Sequence, residues 1–417
     1  MRLLLKSAKI IDKSSPFHLQ TKDILIENGI IKKIANSLKP EHKTKEIALK
    51  NLHISQGWFD TSVCFGEPGF EERETIENGL NTAAKSGFTA VAVNPNTNPV
   101  TDHKSAIEYL INKATNFATN LYPIGCLTKG AEGKDIAELY DMQNSGAIAF
   151  GDYNKPIENT NLLKIGLQYA QNFDALLMSF PQDNSIAGMG LVNEEVNSTK
   201  LGLKGIPSLS EELQIARDLF ILEYTGGKLH IPTISTVKSV KLIREAKKKG
   251  LNVTCSVAAH HLILTDDELT KFDANTKVLP PLRTVKDVKA LIKGVLDGTI
   301  DMITSDHNPI DIEHKKVEYN NAKFGTIGLE SLFGVLNNVI EIETLIECLT
   351  TKPRTRFNLK NNSIQEGENA DLTLFNPDFE YQFSEKNILS TSKNSIFLTK
   401  KLNGKTYGII ANNQLIL

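Results

Sequence analysis

Between residues 54 and 361 the chain repeats one pattern. A short apolar run rich in β-branched residues is followed by a stretch whose apolar positions fall three and four apart. The apolar runs lie at 54–63, 88–94, 120–127, 147–151, 175–180, 228–234, 252–257 and 301–305. The stretches that follow them, such as 75–85, 134–143, 211–223 and 236–249, are spaced for amphipathic helices. Strands separated by helices pair in parallel through right-handed crossovers, and eight such units predict an α/β fold closed into a (β/α)8 TIM-like barrel over residues 54–361. Polar clusters gather just after these strands, at 62–69, 94–98, 151–154, 181–184, 233–236, 259–261 and 306–309. That is the rim where barrel chemistry sits.

The two ends read as strands. The Asn28-Gly29 pair between apolar runs signals a hairpin, and Asn412-Asn413 marks a turn in the final run at 406–417. Strand 370–375 precedes it. Each end has too few strands to cover its own face, so residues 1–53 and 362–417 are expected to combine into one composite β-sandwich domain.

Composition narrows the functional classes. Of 417 residues, 40% are hydrophobic and 23% charged, with a net charge of -2, which gives no basic surface for nucleic acid. The run Arg244-Glu245-Ala246-Lys247-Lys248-Lys249 reads as the solvated face of a helix. No apolar run nears the roughly 20 residues that span a bilayer, and Met1-Arg2-Leu3-Leu4-Leu5-Lys6 does not continue as a signal peptide. Cys64, Cys126, Cys255 and Cys348 form no metal or disulfide spacing, so a reducing cytoplasm is expected.

Several motifs, in order along the barrel, carry a resemblance. They are Asp60-Thr61-Ser62-Val63-Cys64-Phe65-Gly66-Glu67-Pro68-Gly69, Asn94-Pro95-Asn96-Thr97-Asn98-Pro99, and Leu201-Gly202-Leu203-Lys204-Gly205-Ile206-Pro207. His260-His261-Leu262, Pro280-Pro281-Leu282-Arg283, Thr304-Ser305-Asp306-His307-Asn308-Pro309, Phe324-Gly325-Thr326-Ile327-Gly328-Leu329-Glu330 and Glu366-Gly367-Glu368-Asn369-Ala370-Asp371-Leu372 follow. Together they resemble the dihydroorotases, zinc-dependent cyclic amidohydrolases of pyrimidine synthesis. In that family the first strand ends in Asp-x-His-x-His-x-Arg-Glu-Pro-Gly, and zinc-bound water near pKa 7 is the nucleophile.

The resemblance implies a degenerate site here. Ser62 and Cys64 fall at the first-strand histidines and Gly66 at the arginine that grips the substrate carboxylate. Asp152 falls at the bridging position of the fourth strand, Phe180 and Thr233 at the fifth- and sixth-strand histidines, and Asp306 at the last-strand ligand and proton shuttle. Leu279 and Ile310 replace a further asparagine and histidine, while Asn96, Arg283 and His307 remain at substrate-contacting positions.

Three functions follow as expectations. The first is a pseudoenzyme without a metal cofactor, a homo-oligomer that assembles with aspartate carbamoyltransferase, as noncatalytic family members do. The second is a working amidohydrolase that retains zinc in a remodelled site, with Cys64, Asp152, His260 and Asp306 as the available donors. The third is a small-molecule sensor built on Asn96, Arg283 and His307.

Overall fold

The structure, a computed structural model, describes residues 1–40 and 43–417. Eight strands form the barrel: β1 (Trp58–Val63), β2 (Phe88–Val93), β3 (Asn120–Gly125), β4 (Ala149–Phe150), β5 (Leu176–Met178), β6 (Lys228–Ile231), β7 (Val253–Ala258) and β8 (Met302–Thr304). They pair in sequence order, every neighbour parallel. Period two sorts their side chains. Ala90 and Ala92 join Phe59, Ile124, Ala149, Leu176 and Met302 in one cluster, while Val91 and Val93 join the larger core with the helices. Helices α1 (Leu139–Asn144), α2 (Thr160–Ala170), α3 (Ser208–Thr225) and α4 (Val237–Lys248) follow the third to sixth strands in turn.

A carboxylate and the backbone beyond it close the barrel. Asp60 of β1 accepts the backbone N–H of Ser305 at 2.9 Å and the hydroxyl of Thr304, both at the end of β8. Beyond it, the Cys64 N–H donates to the His307 carbonyl at 2.7 Å, and Val63 and His307 form a parallel bridge.

Both ends of the chain meet in a single sheet. Its order runs Gln414–Ile416, Lys401–Ala411, Leu372–Gln382, His53–Gln56, Arg2–Ile10, Thr21–Glu27 and Ile30–Ala35. Asn28 and Gly29, at φ 50° and 77°, turn the hairpin between Thr21–Glu27 and Ile30–Ala35. Trp58, Phe333 and Phe375 stack with centroids 5.0–5.7 Å apart and join this sheet to the barrel.

The apolar run at 54–63 is two strands. His53–Gln56 belongs to the terminal sheet and Trp58–Val63 to the barrel, with Gly57 between them. The Gly57 N–H donates to the Asp371 carbonyl at 2.8 Å, and its own carbonyl accepts from Arg354 at 3.0 Å. A Cβ at this position would stand 2.0 Å from Thr89 Oγ1 and 2.3 Å from Asp371 Oδ1. No side chain fits.

Gly57→Ala should therefore overpack the junction and destabilise the protein by about 1–3 kcal/mol. Urea unfolding checks this, and an unchanged midpoint would contradict the packing described.

Candidate functional site

The strand ends bring Ser62, Asn94, Tyr153, Phe180, Thr233, Leu279 and Asp306 around the barrel mouth, with Cys64 beside them. A hydrogen-bonded chain crosses it. Asn94 Nδ2 donates to Ser62 Oγ at 3.0 Å and to Cys64 Sγ at 3.6 Å, and Ser62 Oγ donates to Asp306 Oδ1 at 3.4 Å. Tyr153 and Asn96 are further neighbours of the Cys64 thiol.

Three of the rim residues have strained backbones. Tyr153, Thr233 and Asp306 take φ of 57°, 46° and 50°. Such a value is a genuine outlier for the β-branched Thr233. Strained residues of this kind concentrate at functional sites, so the backbone has the form of a reaction site.

The side chains tell a different story. Tyr153 and Phe180 line the space between the strand ends, which holds about 20 Å³. That is room for about one water molecule. Among the described residues no Lys or Arg lines the mouth. Burial, with the charge of Asp60 behind it, raises Asp306 to about 7. Burial also pushes the Cys64 thiol up to about 12 and the Tyr153 phenol well above its ordinary value, so both stay protonated. Asp60 carries the pair's negative charge, because it has three donors (Ser62 N–H, Ser305 N–H and Thr304 hydroxyl) where Asp306 has the Ser62 hydroxyl.

Several residues singled out from the sequence lie elsewhere. Asp152 is turned away from the mouth: Oδ1 accepts the N–H groups of Leu127 and Thr128 at 2.8 and 3.0 Å, and Oδ2 takes the Thr128 hydroxyl. Tyr153, the next residue, stands in the mouth instead. Arg283 is buried and spent, donating to Ser235 Oγ, Asn193 Oδ1 and the Ile206 carbonyl at 2.7–3.1 Å. His307 Nδ1 accepts the Gly328 N–H at 3.2 Å, and burial lowers its pKa to about 4, leaving a neutral ring packed on Phe65. His261 Nε2 faces the Pro280 carbonyl at 3.0 Å, and its ring lies against His260. Asn96 remains near the site through Cys64. At Gly66 a Cβ would stand 1.9 Å from the Phe70 carbonyl oxygen, so the loop as folded admits no arginine.

Zinc does not fit this donor set. Among the described residues no three His, Cys, Asp or Glu side chains converge to hold a metal ion. Phe180 has no lone pair, Cys64 is a neutral thiol, and among the described residues Asp306 is the one carboxylate lining the mouth. The sequence pointed to the cluster 151–154 but not to Tyr153 within it. An aromatic directly after a strand end was the available signal.

Comparison with known proteins gives a consistent picture. Residues 53–239 match the family model for Dihydro-orotase-like proteins, and residues 195–405 match that of the Amidohydrolase family. The dihydroorotase of Geotalea daltonii is 36% identical over 422 residues, covering 100% of this chain and 99% of that protein. That of Ruminiclostridium cellulolyticum is 38% identical over 424 residues with the same coverage. Among solved structures, the L-hydantoinase (dihydropyrimidinase) of Arthrobacter aurescens superposes with a TM-score of 0.85 at 20% identity, over 100% of this chain and 97% of that one. The dihydropyrimidinase of Brevibacillus agri gives 0.83 at 18% identity, over 100% and 96%. These structures speak to the fold.

Asp306 should leave a mark on stability. It stays protonated in the folded state to about pH 7, whereas an unfolded aspartate ionises near about 3.9. The folded protein then binds one more proton than the unfolded chain between those values, so stability falls as pH rises through that window and levels off above it. Asp306→Asn should remove this slope, gaining on the wild type by roughly 1.4 kcal/mol per pH unit from about pH 4 to 7. Urea unfolding over a pH series checks it, and parallel curves would be the contrary result.

Proposed function

The chain belongs to the dihydroorotase family of amidohydrolases, and from that premise we propose that it is a noncatalytic member serving pyrimidine synthesis as a structural or regulatory subunit. The observation that carries this reading is the filled mouth. The space that Tyr153, Phe180 and their neighbours enclose is about 20 Å³, too small for a substrate ring. Ligand sites generally offer about 300–1,000 Å³.

The chemistry points the same way. Hydrolysis or closure of a cyclic amide at neutral pH needs an activated water and a polarised carbonyl. Ser62, Cys64, Phe180 and Thr233 provide neither imidazole nor anionic ligand. A general base alone contributes about 10²–10⁴-fold, against the 10⁶–10¹⁷-fold typical of enzymes. With Gly66 closed against Phe70 and Arg283 engaged elsewhere, a substrate carboxylate also lacks its cationic grip. The partner this reading names is aspartate carbamoyltransferase, with no metal cofactor of its own.

One observation favours a working hydrolase instead. Asp306, at about 7, is tuned for proton transfer and stands on a strained backbone, as catalytic groups do. That residue decides between the two readings.

Purified protein, supplied with zinc, should not interconvert carbamoyl aspartate and dihydroorotate above the uncatalysed rate, and elemental analysis should find no stoichiometric metal. Turnover at ordinary enzyme rates that Asp306→Ala abolishes would establish the hydrolase. Combining Ser62→His, Cys64→His and Gly66→Arg should yield neither zinc binding nor activity, because Tyr153 and Phe180 still fill the mouth.

A further inference from the structure

At the end of the barrel opposite the mouth lies a second space, of about 310 Å³, where the terminal sheet meets the barrel. Ligand sites begin at about that size. The start of β3, the Asn28-Gly29 turn, the helix Thr351–Arg356, the stretch 360–371 and the Asn412-Asn413 turn enclose it. These segments are held to one another by the fold itself. Asn412 Nδ2 donates to Asn120 Oδ1 and to the Phe117 and Ala118 carbonyls at 3.0–3.2 Å. The two turns also touch, since a Cβ at Gly29 would stand 3.3 Å from that of Asn413.

The lining differs in kind from that of the mouth. Its charged groups are Arg354, Lys360 and Asp371, which leave a net positive charge. Arg354 is 4% exposed and donates from Nη2 to the Gly57 carbonyl and to Thr89 Oγ1, both at 3.0 Å. Asp371 Oδ2 lies 3.0 Å from the same nitrogen. Among the described residues Nε and Nη1 of this guanidinium donate to nothing. Donors left unpaired on a buried side chain cost stability unless an acceptor reaches them. Lys360 is tied only by a long, exposed ion pair to Glu368 at 3.5 Å. Burial keeps the Tyr122 phenol protonated, and its hydroxyl makes no hydrogen bond among the described residues.

We propose that this pocket binds a small sugar phosphate. Arg354 and Lys360 meet the phosphoryl group, whose three oxygens are strong acceptors able to serve both cations. The Tyr122 hydroxyl donates beside them. The amides of Asn28, Asn362, Asn369 and Asn413 line the rest, and each offers a donor next to an acceptor, the match for neighbouring sugar hydroxyls. An uncharged sugar would leave the guanidinium unanswered, and an apolar ligand would find Tyr122 as the one large ring on the wall. A single ligand there spans the barrel and both turns, so its binding braces the terminal sheet. The site stands apart from the mouth and serves a catalytic or a noncatalytic barrel alike.

Calorimetric titration of the full chain with glucose 6-phosphate and ribose 5-phosphate should show saturable binding of one or both. The thermal midpoint should rise with the concentration of the sugar phosphate that binds. Glucose should not bind, and inorganic phosphate and glucuronate should bind more weakly. Lys360→Glu and Tyr122→Phe should each weaken binding by about tenfold. Without ligand, the urea midpoint of Lys360→Glu should match the wild type, since that side chain is 68% exposed. Lys241→Glu, on the exposed face of α4, should leave binding unchanged. No saturable binding of either sugar phosphate, equal binding of inorganic phosphate or glucuronate, affinity unchanged in Lys360→Glu or Tyr122→Phe, or an equal loss in Lys241→Glu would overturn the proposal.

Discussion

The carboxylate of Asp60 is the constraint on which the rest of this structure turns. It ties the first barrel strand to the last through the Ser305 N–H and the Thr304 hydroxyl, and holds the turn after itself through the Ser62 N–H at 3.1 Å. Removing it would strand three buried donors, each leaving about 1–3 kcal/mol of desolvation unrepaid. The same contacts put Ser62 and Asp306 side by side and fix a buried negative charge behind Asp306. Barrel closure and the protonation of the mouth are thus one electrostatic arrangement.

Within that frame the mouth keeps a reactive backbone around inert contents. Tyr153, Thr233 and Asp306 hold positive φ at strand ends that the barrel geometry dictates, at a cost of order 1–3 kcal/mol each. What lies between them is a phenol, a phenyl ring, a thiol and a protonated carboxyl. Hydroxyls and amides satisfy one another there, in a chain from Asn94 through Ser62 to Asp306. Such a network stabilises by pairing its own groups, and Asp306 is the member of it that titrates near neutral pH.

The barrel was legible in the sequence because period and spacing are properties of the chain itself. What escaped were positions decided by direction. Every residue from Ile54 to Val63 is buried, polar and apolar alike, since both sheets cover the run, so no change of pattern announced that Gly57 changes sheets. Asp152 and Tyr153 are adjacent, and spacing cannot say which one faces the mouth. That is settled by the positive φ of Tyr153 and by the Leu127 and Thr128 amides that capture Asp152. Arg283 sits in a motif with the form of a substrate contact, yet its donors meet Asn193, Ile206 and Ser235 from three distant segments.

The same kind of capture explains why α3 keeps Phe220 and Tyr224 exposed. Glu211 accepts the N–H groups of Ser235 and Thr236 at 2.8 and 3.1 Å and the Ser239 hydroxyl at 2.6 Å, with Arg283 at 3.9 Å. Asp218 accepts the Ser179 hydroxyl at 2.6 Å and pairs with Arg217 at 2.7 Å. Rolling the helix by half a turn would bury Phe220 and Tyr224, gaining at most about 1.5–3 kcal/mol for each. It would also expel two carboxylates from four hydrogen-bonding residues on other elements, Ser179, Ser235, Thr236 and Ser239, and leave them unpaired inside the protein, about 1–3 kcal/mol apiece. The polar contacts win. The buried carboxylates thus fix which face of α3 lies against the barrel.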